Sequence, residues 1–185
     1  LAEQDAIYAK WLPQIANDPA YNANLALNGP GFTLETNTDL TWRPLAWRPL
    51  PVVLAHNADP WGCGHYRIIK PHKAMRDAGL IDGALSDRLL EPAEMLRLSP
   101  DVVVYQRQTR QESLENMERS RRFSSAFKIY ELDDYLPNTP MKSAHRSMMS
   151  KDLVKLLRKG LGYVDRFVVS TPALANALSD YHSDI

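Results

Sequence analysis

With 185 residues, the chain has room for one sizeable core, or one core with an appendage, and not for two complete domains. Its 22 basic and 22 acidic residues cancel, which removes the simplest electrostatic basis for a nucleic-acid or anionic-membrane partner. A single cysteine, Cys63, excludes an internal disulfide and a Cys-rich zinc site.

No apolar run approaches the roughly 18 residues of a membrane span, and the N-terminus lacks the basic-then-apolar layout of a signal peptide. The expectation is a soluble, cytoplasmic protein with no transmembrane segment. The opening Leu1 and the stop at Ile185, just after a helical pattern, read as the limits of a fragment.

In chain order, AEQDAIYAKWL with Ile15 beyond it places Ala6, Ile7, Trp11 and Ile15 at helical spacing, and Pro13 is expected to end or kink that helix. Residues 17 to 50 carry Asn-Asp-Pro, Asn-Gly-Pro-Gly and two Trp-Arg-Pro-Leu repeats, at Trp42 to Leu45 and Trp47 to Leu50. These are turn and extended-chain signals. Residues 1 to 50 thus read as a short helix plus an irregular arm or linker.

From residue 51 to 185, apolar runs alternate with amphipathic segments, the pattern of β-α units. PVVLA (Pro51 to Ala55) is the first strand. A helix from about Tyr66 to Ala78 offers Ile68, Ile69, Met75 and Ala78 for burial, with Pro71 best placed in a first turn and Gly79 as C-cap. Leu80 to Leu85 is a weak strand interrupted by Asp82 and Gly83, and Pro92 to Leu98 is a short helix opened by its proline.

DVVVY (Asp101 to Tyr105) is the clearest strand. A charged helix over 110 to 122 turns Leu114 and Met117 inward, with Arg119, Arg121 and Arg122 as a solvated end, and FKIYEL (Phe127 to Leu132) is the next strand. Ser150 caps a helix with Leu153, Leu156, Leu157, Leu161 and Val164 in one stripe. Phe167 to Val169 is the last strand, and Thr171-Pro172 opens a closing helix with Leu174, Ala177, Leu178 and Tyr181 on one side. The predicted fold is α/β: a doubly wound, Rossmann-like, mostly parallel sheet with helices on both faces.

In such sheets ligands sit beyond the carboxyl ends of the strands. The loops to inspect there hold His56 and Trp61-Gly62-Cys63-Gly64-His65-Tyr66-Arg67, then Gln106-Arg107-Gln108, Asp133-Asp134 and Ser170-Thr171. Gly62 and Gly64 would let backbone approach an anion at a helix start, and Arg67 would add charge-assisted hydrogen bonds to phosphate. The plain alternative is a tight strand-to-helix turn with Arg67 in solvent.

Asp133 and Asp134 have three possible uses: orienting a sugar hydroxyl, acting as a base, or holding a metal. An Asx turn is the plain alternative. His56, His72, His145 and His182 lack metal-ligand spacing, so no metal site is assigned. Cys63 lies near a helix N-terminus, a setting that lowers thiol pKa, but nothing in the sequence pairs it with a base, and a small buried residue is the favoured role.

The segments WGCGHYRIIKPHKAMRDAGL, PDVVVYQRQ, KIYELDDYLPN and YVDRFVVSTPALANAL together resemble the N-terminal domain of GT-B glycosyltransferases of the retaining class known as glycosyl transferases group 1. The resemblance covers roughly residues 51 to 185. It implies that Gly62, Gly64, His65, Tyr66 and Arg67 lie near the diphosphate of a nucleotide-sugar donor, which is a substrate, with no cofactor besides. In that family the loop after the fourth strand often carries a histidine that contacts the transferred sugar. Here that loop reads Leu132-Asp133-Asp134, similar to a subgroup with Asp-Asp in this place, so position carries over and the histidine's role does not.

The G-x-Y-R, Pro, Gly layout of that subgroup matches Gly64, Tyr66, Arg67, Pro71 and Gly79. The resemblance also implies a second, nucleotide-binding domain in the same chain beyond Ile185, and a glycan acceptor. DPAYNANLAL, near the N-terminus, resembles the tail that follows glycosyltransferase modules in tandem polysaccharide enzymes. Two other readings stand beside this one. The first is a non-catalytic scaffold in a polysaccharide assembly. The second is a methyltransferase, which would require an acidic residue ending the second strand, where only Asp87 is on offer.

Overall fold

The computed structural model describes residues 2–41, 48–136 and 152–185. Most of the two Trp-Arg-Pro-Leu repeats, the Ser150 cap and His145 lie outside the described residues.

Five short strands form one parallel sheet in the order β2-β1-β3-β4-β5. They are β1 (Val52–His56), β2 (Asp82–Ser86), β3 (Val102–Gln106), β4 (Phe127–Leu132) and β5 (Arg166–Val169). The predicted α/β, doubly wound class is thus observed. Pairing runs in register from Val53 against Gly83 and Val102 to Gln106 against Glu131 and Leu132 against Val169, so all carboxyl ends share one edge.

The chain reverses its travel across the sheet after β2. Right-handed crossovers therefore put the helix that follows β1 on one face and α4 (Pro92–Leu98), α5 (Gln111–Phe123) and α6 (Leu153–Leu161) on the other. The core lies on the second face, where Val52, Leu54, Val103, Tyr105, Tyr130 and Leu132 meet Leu98, Leu114, Met117 and Leu157. Side chains alternate along each strand, so Val53, Val102, Val104, Ile129 and Val168 turn to the first face, where they are half-buried.

Local chemistry explains several boundaries. α4 spans Pro92–Leu98 as predicted, because Pro92 opens it and Glu91 and Glu94 form a reciprocal capping box. Thr171 accepts a hydrogen bond from the Leu174 amide at 3.1 Å and starts α7 (Pro172–Ala177). Gly79, at φ +67, ends the helix after β1 in a Schellman arrangement: Leu80 N–H donates to Met75 C=O and Gly79 N–H to Arg76 C=O. Gly83 (φ +122) sits in β2 because a Cβ there would lie 2.1 Å from the Val53 carbonyl oxygen.

Other expectations are corrected. The helix after β1 begins at Gly62 rather than Tyr66: a turn of α2 (Gly62–Gly64), a π-helical turn (His65–Ile69), then α3 (Lys70–Asp77). Pro71 cannot donate to an i−4 carbonyl, and the wide π turn just before it absorbs that defect inside a continuous helix. The extra residue in the π turn also shifts the buried face. Ile68 and His72 are buried, whereas Met75 and Ala78 face solvent.

The first helix, α1 (Ala2–Ala16), runs through Pro13, and it buries Leu12 and Ala16 while exposing Ile7 and Trp11. Its facing is set by partners distant in sequence: Arg119 bonds Asp5, Gln4 and Glu91, and Tyr8 meets Phe123 edge-on. Arg119 is therefore a buried clamp and not part of a solvated helix end, while Arg121 pairs with Asp165 and Arg122 with Asp5. Ala177 of α7 is exposed, although Leu174 and Leu178 are buried as expected.

The arm between α1 and β1 is fastened to the sheet domain. Asn37 donates to the Leu85 carbonyl, Asp39 takes two bonds from Arg76, and Arg97 donates to the Ala16 and Leu25 carbonyls.

Candidate functional site

The site forms where the carboxyl ends of β1, β3 and β4 meet, next to the point where the strand order reverses. Four chain segments build it, and each is held by a bond to another.

The loop after β1 is drawn onto β3. Gln106 Oε1 accepts from Ala58 N–H at 3.0 Å, and Asp59 Oδ2 accepts from Arg107 Nη2 at 2.7 Å. Arg107 takes left-handed backbone geometry (φ +45) while its N–H donates to the Glu131 carbonyl at 2.9 Å. A non-glycine residue held there stores strain, a feature that clusters at functional sites. The other oxygen of Asp59 accepts from Trp61 N–H at 3.0 Å, fixing the residue that precedes the helix.

Both glycines of the loop have local reasons. Gly62 takes φ +41, and a Cβ on Gly64 would lie 1.8 Å from the Asp59 carbonyl oxygen. The first-turn amides of α2 receive no side-chain cap from Trp61.

Arg67 leaves the π turn and donates through Nε to Glu131 Oε1. Glu131 is buried, which pushes its carboxyl pKa up, and Arg67 pulls it part of the way back. Gln106 lies beside Glu131 and its side-chain amide favours the charged carboxylate, although Gln106 Nε2 and Glu131 Oε2 make no well-formed hydrogen bond. His65 is half-buried and Tyr66 exposed, their rings edge-to-face at 5.2 Å, with Lys70 Nζ 5.8 Å from the tyrosine ring.

Asp133 and Asp134 meet Cys63, the donor atoms of all three lying within 4.8 Å of one another. The Cys63 thiol bonds to Asp133. That bond first, and burial second, push its pKa up to about 11, so the helix N-terminus does not activate it and the sulfur stays protonated at neutral pH. Asp133 is half-buried with Oδ1 unpartnered, and its backbone carbonyl accepts from Ser170 Oγ at 2.9 Å. Asp134 is exposed. The Leu136 amide bonds its backbone carbonyl. Cys63, Asp133 and Asp134 are the residues able to approach a cation, although the thiol would first have to give up its proton.

The remaining candidates lie elsewhere. His56 is buried on the core face, stacked on Tyr105, with Nδ1 3.3 Å from the Ser86 carbonyl; burial pushes its pKa down to about 4. Thr171 is spent on capping α7. An open groove along β5, lined by Arg166, Val168, Pro172 and Asp184, pairs its charges internally and sits at the outer edge of the sheet.

Sequence reasoning missed Asp59 and Glu131. The available signal was the pair of polar residues, Gln106 and Glu131, closing otherwise apolar strands.

Comparison of the chain with protein-family models, with curated proteins and with solved structures yields no match. Among the described residues no helix is long and apolar enough to cross a membrane.

Proposed function

We propose that this chain forms the acceptor side of the cleft of a glycosyltransferase, which moves a sugar from a nucleotide-sugar donor to a hydroxyl of a glycan. The observation that carries the reading is the meeting of Asp133 and Asp134 with Cys63, in the first turn of the helix after β1, at the carboxyl edge. A carboxylate with a free oxygen accepts a hydrogen bond from a hydroxyl and, as that hydroxyl attacks, its proton. Asp133 supplies that oxygen, and Asp134 orients the ring from the solvent side.

The charge balance divides the labour. Arg67 and Arg107 are each engaged by a carboxylate, and Asp133 and Asp134 add two more, so the described site is acidic overall. An acidic site receives a polyol better than a diphosphate. Stabilising the departing diphosphate then falls to the second domain that the family resemblance implies, with Arg67 in support.

The test is sugar transfer by the native full-length protein with UDP-, GDP- and dTDP-sugars, alongside Asp133→Asn and Asp134→Asn. Asp133→Asn is expected to lower kcat by about a hundredfold or more with secondary structure unchanged. Unchanged turnover in both variants removes the aspartates' role. Absence of transfer with every donor removes the glycosyltransferase reading and favours a scaffold.

A further inference from the structure

Among the described residues, the non-glycine residues with left-handed backbone are Phe32, in a turn of the arm, Ser99, at the C-cap of α4, and Arg107, directly after β3. Arg107 differs from the other two in what it joins. Its N–H donates to the Glu131 carbonyl of β4 at 2.9 Å, and its guanidinium donates to Asp59 Oδ2, in the loop after β1, at 2.7 Å. Since β1 and β4 flank β3, this residue ties one neighbouring strand to the loop of the other. Glycine or asparagine takes left-handed backbone at less cost than arginine. Among the described residues the guanidinium makes one hydrogen-bonded ion pair, with Asp59, so that bond is what the strained arginine supplies.

Asp59 passes the constraint to the helix start. Its Oδ1 accepts from Trp61 N–H at 3.0 Å, and the Trp61 carbonyl accepts from His65 N–H at 3.1 Å, around the turn that carries Cys63. The Asp59 backbone carbonyl presses against Gly64, where a Cβ would lie 1.8 Å from its oxygen. Cys63 in turn bonds the Asp133 side chain. The bonds run without a gap from Arg107 to the carboxylate.

We infer that Arg107 and Asp59 are positioning residues: their ion pair sets the first turn of the helix after β1 so that Cys63 holds the Asp133 carboxylate in one orientation. The strain at Arg107 accompanies that placement. The kinetic consequence rests on the glycosyltransferase reading, whereas the placement does not. A carboxylate that must meet one attacking hydroxyl gains from being held still, because a displacement of about 1 Å can cost about a hundredfold in rate.

The experiment compares the native full-length protein with Arg107→Gly, Asp59→Ala and Arg107→Lys. It measures the urea midpoint, the rate at which iodoacetamide alkylates Cys63 at pH 8, followed by mass spectrometry of the Cys63 peptide, and kcat and KM for sugar transfer. Arg107→Gly relieves backbone strain while losing the ion pair, so its urea midpoint is expected to stay at or above that of wild type. Cys63 is expected to alkylate about tenfold faster in it, because a thiol released from Asp133 ionises more readily. Removing the Arg107 charge alone would slow alkylation, since that charge favours the thiolate. kcat should fall about tenfold with KM within about twofold of wild type. Asp59→Ala should match Arg107→Gly in alkylation and kcat, and Arg107→Lys, which keeps a cation for Asp59, should restore slow alkylation and most of kcat.

Alkylation at or below the wild-type rate in both Arg107→Gly and Asp59→Ala overturns the inference, whatever the activity. Faster alkylation with unchanged kcat overturns the positioning role, and so does a fall in the urea midpoint of Arg107→Gly that accounts for the lost turnover. Faster alkylation in a protein that transfers no sugar from any donor supports the placement and removes the glycosyltransferase reading alone.

Discussion

At the amino edge of the sheet, Asp101 and Asp165 each sit one residue before a strand and bond the neighbouring strand's first amides: Asp101 Oδ2 takes Val52 N–H at 2.7 Å, and Asp165 Oδ2 takes Lys128 N–H at 2.8 Å. Lys128, fully buried, donates its ammonium to the Ser124 and Ala126 carbonyls. At the carboxyl edge Asp133 sits one residue after a strand, with an oxygen left over. Three of the five buried polar atoms without a well-formed bond among the described residues, on Gln106, Glu131 and Asp133, lie at the carboxyl ends of the strands that build the site. Polar groups that lock a fold are satisfied within it, and those that receive a ligand are not. On the proposed reading the edges therefore differ in purpose although they use the same residue types.

The largest expected effect sharpens this contrast through pH. His56 is held neutral by burial, with its pKa about 4 against 6.5 in an unfolded chain. Its folded-state pKa is depressed, so its contribution is complete above pH 6.5 and is lost as pH falls toward 4, on the order of 3 kcal/mol. Urea melts between pH 7 and 4 should show the decline, and His56→Gln should flatten it.

Next comes Arg119→Ala, which strands Asp5, Gln4 and Glu91. It should cost about 2 kcal/mol in urea melts and leave sugar transfer untouched. Loss of transfer in that variant would tie this clamp to the site.

Arg67→Ala leaves the Glu131 carboxylate buried without its cation and should cost about 1 to 2 kcal/mol at pH 7, less in acid where Glu131 protonates. The smallest effect belongs to Glu131→Gln, within about 1 kcal/mol of wild type, because Arg67 is a third exposed and can turn to water. Equal destabilisation by these two variants would mean that the pair serves packing alone.

Strand and helix identities were legible because their causes are local. Phe127 to Leu132 was bounded correctly by its apolar run, and Pro92 with Glu94 marked a whole helix. What escaped had distant causes. Arg119 read as solvated because its partners Gln4 and Asp5 lie more than a hundred residues away. Met75 and Ala78 read as buried because the π turn that rotates them out leaves no periodic mark. The loops of the site were found from strand polarity, yet the proximity of Cys63 to Asp133 and the Arg67–Glu131 pair join segments about seventy residues apart.

The π turn at His65–Ile69 has an evolutionary and engineering meaning. Such a turn is one residue more than an ordinary helix needs, so excising a single residue from it would restore regular winding. The same deletion would also shorten the turn from which Arg67 reaches Glu131. A one-residue change in this turn therefore acts on the mouth of the site through Arg67, at a place outside the strands of the sheet.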